Sequence, residues 1–236
     1  MSVSVRRAGE RYRGGDPAAG VRTLHAFSFA GFYDPDNTRF GLLLACNEEQ
    51  LAPGAGFAEH PHRDTEIVSL VLEGELEHRG EDGRATRLRA GGAQLLGAGG
   101  GVRHVERNPG GEPLRFLQMW LHPDAFGGPP RYAAAPAALP PGPGLHPLVS
   151  GDPDSPAPLR LRQAAATLHV GRGAAALPEA PFLYLHVIRG TLRVGPDTLA
   201  PGDALRAGHA PALHAQPATQ DAEYAVWEMH AEPSYG

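Results

Sequence analysis

Gly54-Ala-Gly-Phe-Ala-Glu-His60-Pro-His62-Arg-Asp-Thr-Glu66-Ile-Val-Ser-Leu-Val-Leu-Glu-Gly74 sets two histidines two residues apart ahead of an apolar run that ends at a glycine. In a strand, side chains two apart share a face, so His60 and His62 aim both imidazoles the same way. The run Glu66–Leu72 has strand length and falls short of three helical turns. Working outward, Phe40–Cys46, Gly92–Leu96, Leu114–Leu121, Phe182–Ile188 and Tyr224–Met229 have the same character. Gly, Pro, Asp and Asn punctuate them, and Arg79 to Arg84, around Gly80, Asp82 and Gly83, reads as a hairpin turn. Many short strands at near-regular spacing predict an all-β chain of sandwich or barrel type.

The pattern occurs twice. Val71-Leu-Glu-Gly74, Glu75-Leu-Glu and Leu88-Arg-Ala-Gly-Gly92 return as Val187-Ile-Arg-Gly190, Thr191-Leu-Arg and Leu199-Ala-Pro-Gly-Asp203. That echo predicts a duplicated small β-barrel. Between the copies, Pro129-Pro130, an alanine run, Pro140-Pro141 and Gly151-Asp-Pro-Asp-Ser-Pro156 make poor helix or strand. The expected domains are 1–127, a linker over 128–158, and 159–236.

A second polar pair follows in Gly99-Gly-Gly101-Val-Arg-His104-Val-Glu106-Arg-Asn108. By strand alternation His104 and Glu106 share a face. If both pairs look into the first barrel, three imidazoles and one carboxylate converge. Such a set suits Fe, Ni, Mn, Cu or Zn, and not Ca or Mg. A His-x-His dipeptide alone is as often a surface or core pair. The weight rests on the conjunction of two pairs, each with a glycine-rich approach, in one hairpin plan.

Composition narrows the class. The chain has 236 residues, 42% of them hydrophobic, and a net charge of -5. That charge gives no electrostatic reason to bind nucleic acid or a membrane. All 21 basic residues are arginine, the mark of a GC-rich genome. The single cysteine, Cys46, lies in an apolar run and reads as a small buried hydrophobe. The arginines of the first thirteen residues have no apolar stretch behind them, so no signal peptide is read, and a cytoplasmic location is expected.

These residues resemble a known family. Gly54-x5-His60-x-His62-x3-Glu66 is similar to the first cupin motif and Gly101-x2-His104-x3-Asn108 to the second. More closely, His60-Pro-His62-Arg-Asp-Thr-Glu66 through Gly74 resembles the pirins, as do Gly101-Val-Arg-His104-Val-Glu106, Phe27-Ser-Phe29 with Tyr33-Asp34-Pro35, and Leu117-Gln-Met-Trp120-Leu. The resemblance implies a bicupin in which His60, His62, His104 and Glu106 hold one divalent transition metal. Fe(II) is favoured, with Ni, Mn, Co, Cu and Zn as alternatives. Ordinary cupins use the carboxylate at Glu66; pirins use the one at Glu106, which leaves Glu66 a strand or supporting role. Val105 departs from the small residue usual in pirins, and Gly99 from the proline of the general cupin pattern. The likeness to bacterial pirin-like quercetin 2,3-dioxygenases implies a small aromatic enol and dioxygen as substrates, with Glu106 accepting the substrate proton. The same ligands could instead serve a redox-sensitive regulator that contacts a partner protein, or a cupin isomerase. A monomer is expected.

The C-terminal copy lacks the set. The echo places Ala176 and Pro178 opposite His60 and His62, with His214 and Gln216 near the places of His104 and Glu106. His186, His209 and His214 then read as solvated or core residues. Arg103 and Arg107 read as salt-bridging, Glu73, Glu75 and Glu77 as a polar strand face, and Phe116 and Trp120 as core.

Overall fold

The computed structural model describes residues 2–137, 142–209 and 212–234. Nearly all regular structure among them is β, as expected. The first strands are β1 (Ser2–Arg6), β2 (Tyr12–Gly14), β3 (Val21–His25), β4 (Leu43–Leu51), β5 (Gly56–His62), β6 (Glu66–Glu73), β7 (Glu75–Gly80), β8 (Ala85–Arg89), β9 (Ala93–Gly97), β10 (Val102–Arg107), β11 (Leu114–Leu121) and β12 (Arg131–Ala135). They continue as β13 (Gly144–Ser150), β14 (Leu159–Arg160), β15 (Ala166–Arg172), β16 (Ala175–Ala176), β17 (Phe182–Arg189), β18 (Leu192–Val194), β19 (Asp197–Leu199), β20 (Ala204–Gly208), β21 (His214–Pro217) and β22 (Glu223–Met229).

The duplication is visible in the strand order. One unit pairs a large sheet, β12-β9-β6-β11-β4-β3-β2, with a small one, β5-β10-β7-β8. The other pairs β1-β20-β17-β22-β15-β13-β14 with β16-β21-β18-β19. The glycines of the sequence echo sit at equivalent corners. Gly74 and Gly190 turn the chain from large to small sheet at φ 76 and 66, and Gly91 and Gly202 turn it back at φ 85 and 84. A Cβ at Gly74 would lie 2.5 Å from the Pro113 carbonyl oxygen, so the corner needs glycine for space as well as for conformation.

Three apolar clusters follow from this layering. Val21, Leu51, Val71, Leu76, Leu88, Leu114 and Phe116 fill the first unit, and Leu185, Val187, Leu192, Leu199, Leu205 and Val226 are among those filling the second. The third lies between the two large sheets, where Cys46, Val68, Leu70, Leu117, Met119 and Leu121 meet Leu148, Leu168, Tyr184, Ile188 and Trp227. Strand β6 is thus buried on both faces, which is why it reads as a continuous apolar run rather than an alternating one.

Parity on β6 also settles where Glu66 points. It shares the face of Val68 and Leu70, toward the second unit. Its carboxylate accepts from Arg131 Nη2 at 2.6 Å and from the backbone N–H groups of Arg162 and Gln163 at 3.0 and 2.8 Å. Glu66 is a brace between the units, buried at 2% exposure.

Residues 128–158 do more than connect. Within them β12 adds to the edge of the first large sheet, and β13 pairs with β15 in the second. The alanines of β12 pair on one side only, where packing demands little of a side chain. Pro147 is accommodated at a register shift between Pro147 and Val149. Pro140 and Pro141 lie outside the described residues. Conversely, the N-terminal strand β1 pairs with β20 of the second unit.

Because the Glu66 carboxylate satisfies buried donors from three residues, Glu66→Gln is expected to cost about 2 kcal/mol of folding stability. Urea denaturation checks this, alongside elemental analysis for bound metal. Unchanged stability, or loss of metal binding with the fold intact, contradicts the bracing role.

Candidate metal centre

Strand β10 runs between β5 and β7 and presents the candidate site. On one side His104 pairs with His60 and Glu106 with Phe57; on the other His104 faces Gly80 and Glu106 faces His78. The β5 register slips between His104 and Glu106, so β5 uses one more residue than β10 there. A bulge re-aims side chains, a feature that simple alternation does not anticipate. Pro61 is tolerated between the histidines because β5 is the edge of its sheet.

The side chains converge in two adjoining clusters. Potential ligand atoms of His60, His62 and His104 lie within 4.8 Å of one another, as do those of His78, His104 and Glu106. Ring centroids of the first three are 4.8 Å apart for His60–His62, 4.5 Å for His60–His104 and 4.9 Å for His62–His104. His104 belongs to both clusters. Glu106 joins the second, one step behind the three imidazoles.

Hydrogen bonding fixes which nitrogens are free. His60 Nδ1 donates to the Ala58 carbonyl at 2.8 Å, which leaves Nε2 with its lone pair. His104 Nδ1 meets His78 Nδ1 at 3.1 Å, and donation from His104 likewise bares its Nε2. The Nε2 atoms of His62 and His104 are buried without a hydrogen-bond partner. An unsatisfied buried nitrogen costs about 1–3 kcal/mol, and coordination to a metal relieves it. The donor set therefore fits a divalent transition metal.

Glu106 is held from both sides. Its Oε1 accepts from Gln94 Nε2 and its Oε2 from Gln118 Nε2, each at 2.7 Å. Both amides are oriented in turn, Gln94 Oε1 by the Tyr132 hydroxyl at 3.0 Å and Gln118 Oε1 by the Trp120 indole N–H at 3.1 Å. Tyr132 also stacks on His78 with centroids 4.2 Å apart. Burial pushes the Glu106 carboxyl up to about 7 against the lowering effect of the two glutamines and Ser69. Burial, seconded by the His60 charge, lowers His62 to about 4 and His104 to about 2. Burial also lowers His78 to about 4. His62, His78 and His104 are neutral at ordinary pH, the state in which nitrogen can ligate a metal.

A cavity of about 370 Å³ opens onto His60 and His62 and is also lined by His25, Phe29, Glu49, Phe57, Gln118 and Trp120. The Trp120 ring meets His62 edge-on at 4.8 Å and Phe29 at 5.0 Å. A second cavity, of about 500 Å³ around Arg13, Arg22 and Gln50, carries none of the histidines.

The pirin family model matches residues 5–121. A Mycobacterium tuberculosis protein, provisionally named a quercetin 2,3-dioxygenase, is 40% identical over 243 residues, which cover 98% of this chain and 96% of that protein. The chain belongs to the pirin family. An Escherichia coli protein named quercetin 2,3-dioxygenase is 40% identical over 131 residues, 55% of this chain and 56% of its own. The crystal structure of the E. coli pirin YhhW in complex with nickel(II) superposes with a TM-score of 0.87 at 28% identity, covering 98% of this chain and 100% of that one. The two units described above are thus the two halves of a pirin bicupin.

In this pirin the described residues of the second unit repeat the frame without a histidine cluster. Ala176 pairs with His214 as His60 pairs with His104, and His214 is exposed. His209 is exposed, whereas His186 is a core residue at 1% exposure. Arg103 bonds Glu59 and Arg107 bonds Glu77, as salt-bridging residues should. Glu77 lies on a polar strand face, as read, and gathers Arg79, Arg87 and Arg107 over itself. One expectation needs correction. Phe116 is core, but Trp120 lines the cavity because its strand runs past the end of the apolar cluster. Sequence reasoning also missed His78, Gln94, Glu49 and Tyr132. Their one signal is a polar residue set into an otherwise apolar or alternating strand.

The lowered histidines make a pH prediction for the metal-free protein. The unfolded chain takes up these protons near pH 6.5, whereas folded His62 and His78 resist until about 4. Protons therefore favour unfolding below pH 6.5. From pH 7 to 5 the stability should fall by about 2 kcal/mol for each such group. The raised carboxyls of Glu106 and Glu49 take up protons on folding over the same range and oppose that loss. The test is therefore imidazole NMR of the folded protein: His62 and His78 still unprotonated at pH 5 agree with it, and titration near pH 6.5 contradicts it.

Proposed function

We propose that this pirin holds one divalent transition metal, iron(II) first among the candidates, through His60, His62, His104 and Glu106. We further propose that it is a quercetin 2,3-dioxygenase, opening the ring of a flavonol or similar aromatic enol with dioxygen. The observation that carries the reading is the pair of buried, partnerless imidazole nitrogens beside a cavity walled by aromatic rings. The names of the relatives and the nickel in the E. coli pirin support it.

When bound, the metal supplies Lewis acidity toward a substrate oxygen and, for a redox-active ion, electron exchange with dioxygen. The chain supplies the rest. His60, His62, His104 and Glu106 would hold the ion and would leave it open to substrate, as in a catalytic rather than a structural site. The two glutamines fix the Glu106 carboxylate so that its orientation does not have to be found during the reaction. Phe29, Phe57 and Trp120 give a planar substrate flat apolar walls and exclude water.

The test is loss of quercetin absorbance in air by protein loaded in turn with Fe, Ni, Mn, Co or Cu. Turnover with at least one metal is expected, together with a fall of about 100-fold or more in His62→Ala. Absence of turnover with every metal contradicts the proposal.

A further inference from the structure

We propose that Glu49, a carboxyl group on β4 outside the metal-ligand set, is the general base that takes the hydroxyl proton of the substrate. The inference deepens the dioxygenase reading and rests on it.

Glu106 is poorly placed for the task. Both its oxygens already accept hydrogen bonds from glutamines, and it is not among the residues lining the cavity. Glu49 lines the cavity shared with His60, His62 and Trp120. By strand parity Asn47, Glu49 and Leu51 look into the first unit, while Cys46 faces the second. A carboxyl group inside an aromatic-walled cavity needs a reason to be there. The Thr23 hydroxyl donates to its Oε2 at 2.5 Å and holds it in place. Burial carries its pKa up to about 7, with the Thr23 bond lowering and the Glu106 charge raising it. A base is most effective near the working pH. In the step, the substrate O–H bond breaks, its proton joins a Glu49 oxygen, and the electron pair stays on the substrate oxygen.

The readout is the absorbance of 3-hydroxyflavone added without oxygen to metal-loaded protein, since the deprotonated flavonol absorbs at longer wavelength than the neutral form. Wild type is expected to generate the anion band. Glu49→Gln is expected to keep its metal by elemental analysis and still bind the flavonol. Its anion band at neutral pH should be at least tenfold weaker, and quercetin turnover in air about 100-fold slower in kcat. Thr23→Val should weaken both several-fold. An anion band and turnover within threefold of wild type in Glu49→Gln overturn the inference while leaving the dioxygenase reading intact. If Glu49→Gln does not fold, Thr23→Val decides, and no change there overturns it. If wild type itself yields neither band nor turnover with any metal, the dioxygenase reading falls and takes the inference with it.

Discussion

Buried imidazole nitrogens need partners, and the arrangement around His62 and His104 withholds them. Protein atoms occupy the Nδ1 positions of His60 and His104, through Ala58 and His78. The Nε2 atoms of His62 and His104 are left bare in the interior. Each such atom is a local cost of about 1–3 kcal/mol that better packing could have removed. The fold keeps the cost and surrounds it with order: two glutamines on Glu106, a tyrosine on one glutamine, a tryptophan on the other. A network so committed makes sense around a site that a cation completes.

The duplicated frame explains why only one unit carries the site. Both small sheets set a central strand against an edge strand, and His60 opposite His104 has its counterpart in Ala176 opposite His214. In the second unit the interior is given over to leucine, valine, alanine and Tyr224. That unit instead contributes a wall of apolar residues against the first, and the Glu66 carboxylate ties the two together. The same parity on β6 that points Val68 and Leu70 across the interface takes Glu66 away from the three clustered histidines. A cupin-type carboxylate has become a brace, and Glu106 on β10 is left to approach the histidines.

Much of this was legible in the sequence because it depends on local rules. Period-two alternation placed His60 with His62, glycines marked the corners at Gly74 and Gly190, and the repeated hairpin announced the second unit. What escaped was set by distant packing. The β5 bulge that offsets Glu106 from the imidazoles depends on pairing with β10. His78 and Tyr132 reach the site from strands whose order the sequence does not state, and β12 lay within a stretch that composition reads as a linker. Trp120 and Phe116 share one face of one strand, yet one lines a cavity and the other a core. Only where each lies along the strand, before or beyond the end of the apolar cluster, tells them apart.

The most direct measurement is metal stoichiometry by elemental analysis of purified protein, in wild type and in His104→Ala, with folding verified for both. One equivalent of a transition metal in wild type, absent from His104→Ala, is expected if these side chains hold the ion. Wild-type protein that carries no transition metal and takes none up on reconstitution, or a His104→Ala protein that keeps a full equivalent, would contradict it.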